Sequence, residues 1–200
     1  MVALMAARSA GILLYRRGET GVEVWIAHMG GPFWAHKDEG GWSIPKGLVD
    51  EGEDDMAAAQ REFAEEMGSP APEADYERLG EFTASGKTIV VFAAEAAFDP
   101  AEIHSDTFEL EWPPHSGRVR RFAEVDAAGW HPVADARLKL TKGSAASARR
   151  VAEGTGRRGP ALTPGLRGIA IADGSLVPWR RRSRTRYASA SNGPRSPLIG

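Results

Sequence analysis

The chain has 200 residues, 42% of them hydrophobic, which is enough apolar material for one globular core. It has no cysteine, so disulfides and thiolate metal sites are excluded, and a reducing, cytoplasmic setting is the expectation. The net charge of −2 conceals an asymmetry: residues 1–142 carry 14 Lys and Arg against 25 Asp and Glu, whereas residues 143–200 carry 11 Arg against 2 acids.

The first stretch, MVALMAARSAGILLYRR, lacks the basic n-region of a signal peptide, and Arg8 and Ser9 break its apolar run, so it reads as mature protein. SAGILLYRR and GVEVWIAHM, separated by GET, are rich in β-branched and aromatic residues and predict a hairpin. A Gly/Pro-rich loop, GGPFWAHKDEGGWSIPKG, follows. A helix comes next, in the stretch GLVDEGEDDMAAAQREFAEEMGS. YERLGEFTAS and KTIVVFAAEAAF predict a second strand pair that turns near Ser85-Gly86. A long connection carries a short strand at Phe108–Trp112, AAGWHP is expected as a last edge strand, and PVADARLKL starts like a helix with Pro132 near its first turn. No apolar run approaches the roughly 20 residues of a membrane span. Strands mixed with two helices predict an α+β layered domain, rather than a regular βαβ series, over residues 1–142. From Gly143 onward Gly, Ser, Ala, Pro and Arg dominate, and residues 143–200 are expected to be a basic, disordered tail. WRRRSRTR would suit a nucleic-acid or anionic-lipid arm, but such arms are more often solvated ends, so nucleic acid and membrane are not the expected partners.

The helix carries the chemistry. Met56, Ala59, Phe63 and Met67 fall on one stripe at 3.6-residue periodicity and predict the core face. Asp54 is the expected N-cap and Gly68 the expected C′ residue. Glu62, Glu65 and Glu66 stand at i, i+3 and i+4 on a face turned away from that stripe. Like charges at this spacing repel by a few tenths of a kcal/mol, about 0.2–0.5 per pair, and the helix C-terminus disfavours anions. Arg61 can relieve Glu65, which leaves Glu62 and Glu66. A solvated acidic face is the ordinary reading of any one glutamate. For the group, a divalent cation turns repulsion into ligation, and hard oxygen ligands suit Mg²⁺ or Mn²⁺ and, with them, substrate phosphates. An EF-hand starting at Asp50 fails, because Gly52 falls at loop position 3 and Arg61 at position 12. There is no P-loop, no G-x-S-x-G and no dinucleotide fingerprint, and the five histidines show no metal-ligand spacing.

The run Gly47, Glu53, Arg61-Glu62, Phe63, Glu65-Glu66, Gly68 resembles the signature of the Nudix hydrolases, with Ser69 a departure at its final, usually apolar position. GGPFWA, KDEG, WSIPKG and FELEWPP resemble a bacterial subgroup of that family, and SIPKG is similar to diadenosine polyphosphate hydrolases. The resemblance runs from about Ser9 to about Lys142 and implies an α/β/α sandwich with a mixed sheet. It also implies metal ligation by Glu62, Glu66, Glu65 and the backbone carbonyl near Gly47, with Mg²⁺ or Mn²⁺ as cofactor. Arg61 and Glu53 would orient the box. Glu124, six residues before Trp130, would be the general base, ahead of Glu65 and Glu111. Lys46 and Lys87 are candidates to touch a phosphate, although each also suits a plain turn. Phe33, Trp34 and Trp42 could stack on a nucleobase or simply pack the loop on the sheet. The implied function is metal-dependent hydrolysis of a phosphoanhydride in a nucleoside diphosphate-linked small molecule, dinucleoside polyphosphates included. The alternatives are an NTP pyrophosphatase that sanitises nucleotide pools, or a non-catalytic nucleotide sensor.

Overall fold

The structure, a computed structural model, describes residues 7–84, 86–157 and 188–189. The predicted hairpin forms from β1 (Arg8–Gly18) and β2 (Gly21–Met29). The loop after β2 holds two short strands that composition does not reveal, β3 (Trp42–Ser43) and β4 (Lys46–Leu48). The box helix is α1 (Asp55–Met67), and the second strand pair is β5 (Glu77–Ala84) with β6 (Lys87–Glu95). The short strand expected near Phe108 is β7 (Thr107–Glu111), and it pairs with an unanticipated β8 (Val119–Ala123). Then come β9 (Val125–Pro132), α2 (Val133–Lys139), α3 (Lys142–Arg157) and the two-residue β10 (Ala188–Ser189).

The main sheet runs β10-β9-β2-β1-β6-β5, with β3 joined to β2 and β4 to β1. It is mixed: β1 and β6 are parallel, and the other pairs are antiparallel. Strand alternation sorts the core into two layers, because successive side chains point to opposite faces. Ala10, Ile12 and Leu14 of β1, Trp25 and Ala27 of β2, and Val90 and Phe92 of β6 pack with Ala59, Phe63 and Met67 of α1. Leu13, Val24, Ile26, Val91 and Ala93 pack on the other face with Ala136 of α2 and Ala148 and Val151 of α3. The result is the expected α/β/α sandwich.

α3 corrects the boundary drawn at Lys142 and the disorder expected directly after it. Ser144, Ser147, Ala148 and Val151 are all buried. They recur at i, i+3, i+4 and i+7, the spacing of a helix face, but their small side chains give that face no hydrophobic signature. Ser144 Oγ lies 3.2 Å from Ser43 Oγ, and Ser147 donates to the Ser144 carbonyl at 2.7 Å, so the hydroxyls buried under α3 are satisfied. The rest of the anticipated tail, apart from residues 188–189, lies outside the described residues. Among the described residues no helix is long and apolar enough to cross a membrane.

Candidate active site

α1 is capped as its sequence prescribes. Asp54 accepts hydrogen bonds from the amides of Met56 at 2.9 Å and Ala57 at 3.2 Å. Gly68 ends the helix at φ 67, and a β-carbon there would press on the backbone of His104. The helix lies beside β4, whose Gly47 pairs with Ala10 of β1. A side chain at Gly47 would collide with the Glu62 carboxylate, so glycine is what lets the box helix approach this strand.

Arg61 is the hub of the box. Its Nε and Nη2 form a fork on Glu53 at 3.0 and 2.8 Å, and Nη2 also donates to the Leu48 carbonyl at 2.9 Å. Nη1 donates to Glu62 at 2.7 Å and to Glu65 at 3.3 Å. Glu53 also accepts from the Asp50 amide at 3.0 Å, and the guanidinium together with that amide holds its carboxyl down to about 2. The planar, always charged fork of arginine thus ties the loop 48–53 to α1, and its donors are spent on the protein itself.

Glu66 points inward. Its Oε2 accepts from the Lys46 amide at 3.3 Å. Burial pushes its carboxyl up to about 8, the nearby Lys46 charge and amide oppose this, and Glu62 and Glu124 add to it. Glu124, between β8 and β9, belongs to the same field: partial burial, Asp106, Glu62 and Glu65 all raise its pKa. Its position is fixed by backbone, since its amide donates to the Asp106 carbonyl at 2.9 Å and its carbonyl accepts from Gly30 at 2.7 Å. The Asp106 amide in turn donates to the Glu65 carbonyl at 3.2 Å. Two segments far apart in sequence therefore meet at the C-terminal end of α1. Asp106 was not foreseen, and nothing in HSD marks it.

The other expected residues divide. Lys46 stands beside Glu66 and Glu124, and its charge opposes the upward shift of both carboxyls. Lys87 is exposed at the start of β6, next to Thr88, which pairs with Arg8. Arg8 binds Asp55 in the first turn of α1, so Lys87 lies toward the helix end opposite Glu66. Trp42 corrects the stacking expectation: it is 4% exposed and packs in the α2–α3 layer, against the face of the sheet opposite α1. Its indole donates to Asp38 at 3.0 Å, and it meets His28 and His131 edge to face. Glu111 is spent at the tip of the β7–β8 hairpin, where it accepts from the Gly117 amide at 2.7 Å.

Among the described residues no three acidic or imidazole side chains are already drawn together as a ligand cluster, because Glu62 and Glu65 lean on Arg61. The donor chemistry nevertheless fits a hard divalent cation. All the oxygens are carboxylate or carbonyl, and a buried carboxyl raised to about 8 by its surroundings gains most from a nearby positive charge.

The NUDIX domain family model matches residues 5–153, which spans the whole sandwich, α3 included up to its last turn. This chain belongs to the NUDIX family. It is by class a Nudix hydrolase. Among solved structures, the NUDIX domain of Shewanella oneidensis NrtR complexed with ADP ribose is 18% identical, covers 74% of this chain and 88% of its own, and has a TM-score of 0.51. A Listeria monocytogenes Nudix hydrolase is 12% identical over 74% of this chain and 93% of its own, also at 0.51. The Ap4A hydrolase of C. elegans is 22% identical over 75% of this chain and 98% of its own, at 0.49. At these identities the likeness is one of fold. No curated protein matches the chain.

Proposed function

We propose that this Nudix enzyme is a divalent-metal-dependent hydrolase that cleaves a phosphoanhydride bond in nucleoside diphosphate-linked substrates, dinucleoside polyphosphates among them. The observation that carries the reading is the convergence of Glu66 on the Lys46 amide and of Glu62 on Gly47: burial and the neighbouring Glu62 and Glu124 carboxyls disfavour the Glu66 anion, and a divalent cation between them would favour it. Glu62, Glu66 and the Gly47 carbonyl would hold that ion, with Glu65 at the margin. When bound, Mg²⁺ or Mn²⁺ supplies a more acidic water and neutralises charge on the phosphoryl oxygens.

The chain's own groups do the rest. Glu124 accepts the proton of the attacking water, a role suited to a carboxyl whose basicity its neighbours raise. Lys46 offers its ammonium to a phosphate oxygen beside the acidic residues. Arg61, saturated by Glu53, Leu48, Glu62 and Glu65, positions the carboxylates rather than the substrate. The narrower choice of dinucleoside polyphosphates rests on the SIPKG resemblance. The experiment is a panel of nucleoside triphosphates, nucleoside diphosphate sugars and dinucleoside polyphosphates, assayed with Mg²⁺ and Mn²⁺ and with products identified. Cleavage within the diphosphate linkage is the expected result. Pyrophosphate released from triphosphates alone would move the reading to a pool-sanitising pyrophosphatase. Binding without turnover across the panel would move it to a sensor.

A further inference from the structure

The loop after β2 and the β7–β8 hairpin bring two aromatic rings together. Phe33 is 55% exposed and meets the half-buried Trp112 edge to face, with ring centroids 5.3 Å apart at 81°. Neither ring belongs to the core layers. Trp34, next in the chain, is engaged differently: the Lys37 ammonium lies 4.6 Å over its ring.

Both segments are anchored at the site. The loop is tied by the Gly30 amide to the Glu124 carbonyl, and Phe33 follows three residues later, at most about 11 Å of extended chain. Gly31, at φ 87, leaves room for the Phe108 ring of β7, whose Cζ sits 2.7 Å from where a β-carbon would stand. The hairpin is tied to α1 and Glu124 through Asp106 and stiffened by the cross-strand pair Phe108–Phe122. Its tip is pinned by the Trp112 amide on the Arg118 carbonyl at 2.8 Å and the Gly117 amide on Glu111 at 2.7 Å. The two rings are thus presented on fixed backbone, on two segments that both join to the Glu124 strand connection.

We propose that Phe33 and Trp112 form the seat of the substrate's nucleobase and set the enzyme's preference for nucleotides over base-free phosphates. The proposal rests on the nucleotide reading above. A base slides against the two rings by π-stacking, which is strong but tolerant of base identity. The seat therefore selects a nucleoside as a class, leaving a particular base to other contacts.

The deciding experiment is binding of adenosine monophosphate and of ribose 5-phosphate, by titration calorimetry in Mg²⁺. The parent chain is expected to favour the nucleotide by about tenfold or more, the scale of one base stacked on an aromatic side chain. Trp112→Ala and Phe33→Ala should each remove most of that preference, and Trp112→Phe should restore part of it. Equal preference in the parent and both alanine variants overturns the proposal. So does a change in native mass in the variants with the preference intact, which would make the pair a self-association surface. Turnover is read separately: a parent chain that binds with this preference but cleaves nothing in the panel defeats the hydrolase reading and leaves the base seat standing.

Discussion

The two faces of the sheet are covered by helices built on opposite principles. α1 combines a greasy stripe, Ala59, Phe63 and Met67, with an edge crowded by Arg61, Glu62, Glu65 and Glu66. α3 covers the other face with Ser144, Ser147, Ala148 and Val151, and its buried hydroxyls are satisfied by Ser43 of β3 and by the Ser144 carbonyl. One face accepts electrostatic cost where the chemistry is placed. The other keeps polar cost near zero and contributes close packing. Stability and reactivity are therefore separable in this fold, and each helix can be attacked on its own terms.

The largest expected effect is on the α3 side. A chain ending at Lys142 strips from Leu13, Val24, Ile26 and Val91 the cover that Ala148 and Val151 supply, leaving only that of α2, and it should lose a cooperative thermal transition. Ala148→Asp puts a charge where exposure is 0%, and should cost about 3–5 kcal/mol in urea denaturation. A truncated chain that melts like the full one would restore the boundary at Lys142. Next in size is Glu66→Gln, on the α1 side. Turnover should fall by about 10²–10³-fold, the scale of removing one group that stabilises developing charge. The melting temperature in EDTA should not drop, because the amide replaces a carboxyl that burial already disfavours as an anion. Loss of activity with equal loss of stability would erase the division between the faces.

That division also decides what is legible in the sequence. The α1 face was legible because its chemistry prescribes residue types at fixed spacing. A fork on Glu53 requires Arg at 61, the close approach to β4 requires Gly at 47, and the helix end requires Gly at 68. The α3 face was illegible because Ser, Ala and Gly carry no hydropathy signal, even when every i, i+3, i+4 position is buried. Trp42 misled for a related reason: two-residue strands such as β3 leave no period, so a core tryptophan reads as a loop aromatic. β8, VRRFA, shows mostly exposed charge and forms by pairing with β7 rather than by burial. Asp106 reaches the site at the base of that hairpin, and nothing local in its sequence announces a contact set by tertiary pairing.

A milder break on the α1 side is Arg61→Ala. It frees Glu62 and Glu65 from their positioning contacts and unties Leu48 and Glu53. Activity should fall by about 10–100-fold, the range for a partner that orients a ligand, and metal affinity measured by calorimetry should fall with it. Arg61→Lys should rescue little, because an ammonium cannot make the fork. Rescue by lysine would show that charge alone, rather than geometry, holds the box.

The smallest effect tests whether the α2–α3 face is as electrically quiet as its serines suggest. His131 is buried there at 5% exposure, against the Trp42 ring. Burial lowers its pKa, and the Lys139 ammonium lowers it further, against opposing pulls from Asp135, Asp38 and Glu23. The folded protein therefore binds the His131 proton less readily than the unfolded chain does. Stability from this group is fully present above the unfolded value near 6.5 and is lost as pH falls below it, because the unfolded state then takes up the proton first. Urea midpoints measured from pH 7.5 down to 5.5 should decline for the parent chain, and His131→Gln should flatten that part of the profile without altering turnover at pH 7.5. A decline identical in the variant would assign the acid sensitivity to the carboxylates of the α1 face instead, and the quiet face would be quieter than its one buried imidazole implies.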